Sequence, residues 1–161
     1  MKKFLSLMLF FITVGLYAQE KVQIYNPLAD ARHDLQQAIQ LAGEENKHVL
    51  VQIGGNWCPW CIKLHDFFAS ETVIDSILKA DYILIRINYS KENKNPEIMA
   101  RLGFPQRFGF PVLVVLDALG NRLHTQNTAY LEKDKGYDAE KMKRFLLDWN
   151  RAAIDPATYR Q

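Results

Sequence analysis

The chain has few cysteines: two in 161 residues, Cys58 and Cys61, three positions apart. A pair that close is a weak staple, since closing a loop of about four residues gives only about 2 kcal/mol in the chain-entropy model, before any strain is subtracted. A bracing disulfide would join distant segments, so this pair is read as reactive. There is no second CxxC and no HxxxH, so the four ligands of a closed zinc site are missing even with His65 four residues after Cys61. Ile62 stands where a CxxCH haem attachment needs histidine. No metal and no other cofactor is therefore expected. An excess of one charge is absent too. Lys and Arg number 20 against 18 Asp and Glu, and without Lys2 and Lys3 the two signs balance at 18 each. A balanced, well-mixed surface provides no electrostatic reason to bind nucleic acid or an anionic membrane. Repeats and low-complexity blocks are missing, and the apolar run FLSLMLFFITVGLYA (Phe4 to Ala18) is shorter than the roughly 20 residues of a bilayer span.

What is present begins with that run. The basic head Met1-Lys2-Lys3, an uncharged apolar core and the small Ala18 have the form of a secretory signal peptide over 1–18. The alternative is an uncleaved N-terminal anchor. The expected address is export, periplasmic in a Gram-negative cell, with no stable membrane association after cleavage. The remainder, 19–161, has the length of one domain.

Along that domain, VQIY (22–25) reads as a short first strand closed by Asn26-Pro27. Leu35, Ala38, Ile39 and Ala42 fall at helical spacing from Asp30 to about Glu45. HVLVQI (48–53) is an apolar strand with both faces buried. Pro59 suits the first turn of a helix that ends near Ser70, and a second short helix covers Val73 to Leu78. YILIRIN (82–88) is the next strand, 96–102 a helix ended by Gly103, and PVLVVLD (111–117) a third strand turned back by Leu119-Gly120-Asn121 into RLHTQ. Asp138 to Trp149 places Met142, Phe145, Leu146 and Trp149 on one stripe. The order β-α-β-α-β-α-β-β-α predicts an α/β mixed sheet that starts parallel and finishes antiparallel.

Cys58 then falls at the start of a helix, where unpaired N–H groups and the helix dipole favour a thiolate. Cys61, one turn on, is placed to reach its sulfur, an arrangement suited to thiol–disulfide exchange through a mixed disulfide. GGNWCPWC preceded by ENKHVLVQI resembles the active site of the thioredoxin superfamily, and FGFPVLVVLDALGN resembles the loop of that fold carrying a cis-proline beside the dithiol. The resemblance covers about 30–149. It implies a thioredoxin fold, a mixed central sheet flanked by helices, and exchange of disulfides with protein thiols. Cys58 and Cys61 would be catalytic, Pro111 the cis-proline, and the Phe110 backbone the edge on which a substrate segment lies. Trp57 is expected to pack partly in the core and Trp60 to lie at the surface, where it shapes substrate contact. His33, His48 and His124 are read as structural.

Two departures from the family stand out. Gln52 occupies the position where many thioredoxins carry a buried acid, and Pro59-Trp60 replaces Gly-Pro. The first suggests that Gln52, with Arg86 on the neighbouring strand, tunes the thiol by placing no negative charge beneath it. Expected partners are protein thiols or disulfides and an unidentified redox partner, with no nucleic acid, and a monomer is expected. Two other functions stay open: a thioredoxin-like binding or scaffold module with an incidental dithiol, and a glutathione-linked enzyme of glutaredoxin type. The first residues are directly testable. In an exporting host the chain should lose 1–18, and N-terminal sequencing should begin near Gln19; a product that keeps Met1 would identify an uncleaved anchor.

Overall fold

The computed structural model describes residues 23–160. The expected signal peptide, and with it Val22, lies outside the described residues. Helix α1 (Ala31–Glu45) starts where the Asp30 carboxylate accepts the N–H groups of Arg32 and His33, and ends where Asn46 takes a left-handed conformation at φ 59°. Strand β1 (His48–Gly54) is buried at every residue, which explains its nearly unbroken apolar sequence. Helix α2 (Pro59–Ser70) and helix α3 (Thr72–Asp81) follow, then strand β2 (Tyr82–Asn88), helix α4 (Pro96–Arg101) and strand β3 (Val112–Leu116). β3 turns into β4 (Arg122–Asn127); a two-residue pair β5 (Glu132–Lys133) and β6 (Gly136–Tyr137) leads into α5 (Ala139–Asp148) and the short α6 (Arg151–Ile154). Asp138 caps α5 through the N–H groups of Glu140 and Lys141.

The strand expected at 22–25 does not form over its described residues. The N–H groups of Ile24 and Tyr25 instead donate to the Asn56 side-chain oxygen at 2.9 and 3.0 Å. The backbone donors there are satisfied by one loop side chain rather than by a strand edge. Pattern alone does not distinguish these outcomes, because either one gives the backbone its hydrogen bonds.

The sheet runs β2-β1-β3-β4, with β1 and β2 parallel and β3 antiparallel to both β1 and β4. This is the α/β mixed sheet with flanking helices anticipated from the alternation of elements. Period-two alternation divides it into two faces. Val49, Val51, Ile53, Ile87, Val112 and Val114 pack with Leu35, Ala38, Ala42, Met99 and Leu102 from α1 and the end of α4. Leu50, Leu113 and Val115 pack on the opposite face with Leu64, Phe68, Ile74, Leu78, Met142 and Leu146 of α2, α3 and α5. A fully buried side chain of this kind contributes about 1.5–3 kcal/mol relative to exposure, so the layers on both sides hold β1 firmly. The register sets Gln52 opposite Arg86 on β2 and Leu113 on β3. Gln52 and Arg86 therefore project to the same side, toward α2.

Candidate active site

β1 delivers the chain to α2 through Gly54-Gly55-Asn56-Trp57. A Cβ on Gly54 would run into Cys61 Sγ and come within 2.8 Å of the Tyr25 hydroxyl, so only glycine lets the helix sit this close. Cys58 is the N-cap of α2 and Pro59 its first residue. Cys58 and Cys61 are joined in a disulfide, with their Cα atoms 5.3 Å apart. The backbone N–H of Cys61 donates to Cys58 Sγ at 3.2 Å. That donor and the helix terminus face the sulfur that would carry negative charge. The two cysteines differ little in exposure, 3% and 0%, so it is the expected helix-end position that distinguishes Cys58.

Beneath the disulfide lies a polar layer that holds no buried acid among the described residues. Gln52, fully buried, donates its amide to the Tyr25 hydroxyl at 2.9 Å and to the Cys61 carbonyl at 3.2 Å. Burial pushes the Tyr25 phenol well above its ordinary pKa, so it stays protonated. Arg86, half-buried, has its pKa lowered by burial, with Tyr25 opposing, and still remains a cation at neutral pH. Tyr25 is held in place by Asn56, whose side chain accepts the N–H of Tyr25 and donates to its carbonyl at 2.7 Å. Neither Tyr25 nor Asn56 carried a site signal in the sequence, because their role depends on contacts across 27 positions to Gln52 and 31 between the two.

The rim is aromatic. Trp57 is 56% exposed, its indole N–H donating to the Tyr89 carbonyl at 2.8 Å and its ring edge-on to Phe110 at 5.5 Å. Trp60 is half-buried, edge-on to Tyr137 at 5.6 Å, with the Tyr137 hydroxyl donating to its carbonyl and Lys63 4.5 Å above its ring. The expected assignment of the two tryptophans is thus reversed. Trp57 precedes the helix and hangs over the loop, whereas Trp60 in the first turn meets the β6 hairpin. The Phe110–Pro111 peptide bond is cis. Pro111 is buried, its carbonyl accepts the Thr128 hydroxyl at 2.5 Å, and Phe110 packs against the cluster of Tyr25, Cys58 and Cys61. Tyr89 and Tyr137, which complete the rim, were missed for lack of any local motif. His48 bonds the Trp149 carbonyl through Nδ1, His124 stacks on Trp149, and His33 is exposed, so all three lie apart from the dithiol.

Residues 30–118 match the family model described as thioredoxin-like, more than half of the chain. The chain belongs to the thioredoxin-like family. It is 25% identical over 113 residues to the disulfide bond reductase DsbH of Chlamydia pneumoniae, covering 65% of this chain and 68% of that one. Among solved structures it resembles a disulphide isomerase from Xylella fastidiosa Temecula1 (TM-score 0.66, 21% identity, 79% of this chain and 96% of that one). It also resembles a structure named DsbH Oxidoreductase (TM-score 0.52, 22% identity, 68% and 77%). At these identities the structural likenesses establish the fold. The family match and the relative named a disulfide bond reductase, together with the Cys58–Cys61 pair at the start of α2, support a thiol–disulfide oxidoreductase.

For a thioredoxin-like protein the tight seat at Gly54 has a measurable consequence. Gly54→Ala should destabilise the oxidised protein by about 1–3 kcal/mol, the usual cost of overpacking a core. Urea denaturation of wild type and variant, each oxidised and reduced, checks this, and the loss should be larger in the oxidised form.

Proposed function

We propose that this thioredoxin-like chain is an exported enzyme that exchanges disulfides with protein thiols, with Cys58 as nucleophile and Cys61 as resolving thiol. The supporting observation is the Cys61 N–H directed at Cys58 Sγ at the helix N-terminus. In the reducing direction, the Cys58 thiolate attacks one sulfur of a client disulfide and the other sulfur leaves as thiolate. Cys61 then attacks Cys58 Sγ, the bond to the client breaks, and the second client sulfur is released. Two electrons pass from the dithiol to the client, and the reverse sequence oxidises a client dithiol. Residues 1–18 act as the export signal and 19–161 as the catalytic domain, on the strength of the basic head and apolar run.

The aromatic rim is the substrate platform in this reading. A client segment lies along the Phe110-Pro111 backbone, with Trp57 on one side and Trp60 on the other; the exposed Trp57 ring supports this placement. Gln52 and Arg86 tune the thiols. A carboxylate at 52 would repel a thiolate and raise its pKa, whereas a neutral amide does not, and the Arg86 cation favours the charged form.

Two measurements test the reading. Cys61→Ser should trap covalent client complexes, visible on non-reducing gels and lost with reductant, while Cys58→Ser should not; trapping by Cys58→Ser instead would reverse the roles. Thiolate absorbance against pH should show a higher Cys58 pKa in both Gln52→Asp and Arg86→Leu than in wild type. An unchanged titration in both variants would remove the tuning role.

A further inference from the structure

Three buried polar atoms on the α2 side of the sheet have no hydrogen-bond partner among the described residues: Gln52 Oε1, Arg86 Nε and His65 Nδ1. Gln52 and Arg86 are register partners on adjacent parallel strands, so their side chains stand next to each other. His65 is one helical turn beyond Cys61, on the same side of α2. It lines, with Arg86, a cavity of about 420 Å³ that also includes Phe68, Tyr82 and Leu84. Arg86 is near enough to both Tyr25 and His65 for its charge to act on each. One acceptor, one donor and one imidazole nitrogen, all unpaired, are what a bound water needs. Gln52 meanwhile already holds the Cys61 carbonyl with its other end.

The resolving step needs a base, because Cys61 is buried and must lose its proton before it attacks. The polar layer holds few candidates. Tyr25 stays protonated, Gln52 has no titratable group and Arg86 is a cation. His65 is left.

We propose that His65 is the proton relay of the resolving step, accepting the Cys61 proton through a water held between Gln52 Oε1 and Arg86 Nε and passing it into the cavity. This rests on the assignment of Cys58 as nucleophile and Cys61 as resolving thiol. The Cys61 S–H bond breaks and its proton moves through the water to His65 Nδ1. The Cys61 thiolate attacks Cys58 Sγ, the Cys58–client S–S bond breaks, and the client sulfur leaves as thiolate. The imidazolium then gives its Nε2 proton to solvent or to that thiolate. The electrons come from the dithiol and the client disulfide takes them up, so no further reactant is required.

The surroundings of His65 suit a transient acceptor. Burial and the Arg86 charge hold its pKa below the ordinary histidine range, with Asp66 opposing, so it is neutral at physiological pH and gives up a captured proton readily. The other ionisable groups around it are Tyr82 from β2, Lys47 before β1, and Asp75 and Lys79 from α3. Burial keeps Tyr82 protonated, Lys47 pairs with Glu45 at 2.5 Å, and Asp75 pairs with Lys79 at 2.6 Å. None of them stands on α2 one turn beyond Cys61, as His65 does.

The test separates the two chemical steps. The reduced full-length protein is mixed with saturating 5,5′-dithiobis(2-nitrobenzoate), an aromatic disulfide, by stopped flow between pH 5 and 9. Release of the first coloured thiolate reports Cys58 attack, and release of the second reports resolution by Cys61. In His65→Gln the ratio of second to first rate should fall about 100-fold, the low end of what a positioned base supplies. The second rate should also become proportional to hydroxide where the wild type levels off. In His65→Ala, added imidazole should restore the second rate in proportion to its concentration. A second step with wild-type rate and pH profile in both variants would overturn the relay, as would a slow step in His65→Ala that imidazole leaves unchanged. Initial attack that needs Cys61 rather than Cys58 would overturn the underlying assignment of roles instead.

Discussion

Strand β1 is buried along its whole length, and its last residue, Gly54, is where the dithiol rests. The rest of the site depends on that seat. A strand held between β2 and β3 and between two helical layers cannot shift to accommodate the helix that follows it, so the helix must fit the strand. It does so because Gly54 presents no side chain to Cys61 Sγ. Cys58 is then left at the N-cap of α2 with the N–H of Cys61 aimed at its sulfur. A rigid strand end and a missing Cβ together place a reactive sulfur at the positive end of a helix.

The layer below the dithiol follows from the same packing. Gln52 stands two residues before Gly54, in a place with no solvent exposure, where a carboxylate would meet a high desolvation cost. An amide fits there without charge and holds Tyr25 on one side and the Cys61 carbonyl on the other. Arg86 is the only charge the adjacent strand projects toward it, and the register leaves that cation half-buried beside it. Reduced sulfur in this setting faces donors and a cation, with no buried anion beneath it among the described residues.

Local patterns carried much of this into the sequence. The strands 48–53 and 82–88 and the helices from Asp30, Pro59 and Asp138 were legible because periodicity, caps and proline position are short-range signals. The strand expected at 22–25 was not realised in its described part, since its donors found Asn56 instead of a strand edge. The tryptophans were misassigned between core and surface for a related reason: both flank a cysteine, and burial is decided by Tyr89 and Phe110 for one and by Tyr137 for the other. The β5–β6 pair that supplies Tyr137 is two residues per strand, too short to leave a periodic trace.

By itself the sequence determined the chemistry: two cysteines three apart, a proline directly after the first, and a neutral residue where an acid would sit are covalent facts that no packing alters. The tertiary structure alone decided the company those residues keep. Tyr25, Tyr89 and Tyr137 come to the surroundings of the dithiol from separate segments, because strand register and layer packing bring distant positions together. Such contacts are long-range in sequence, and no local pattern of residues encodes them.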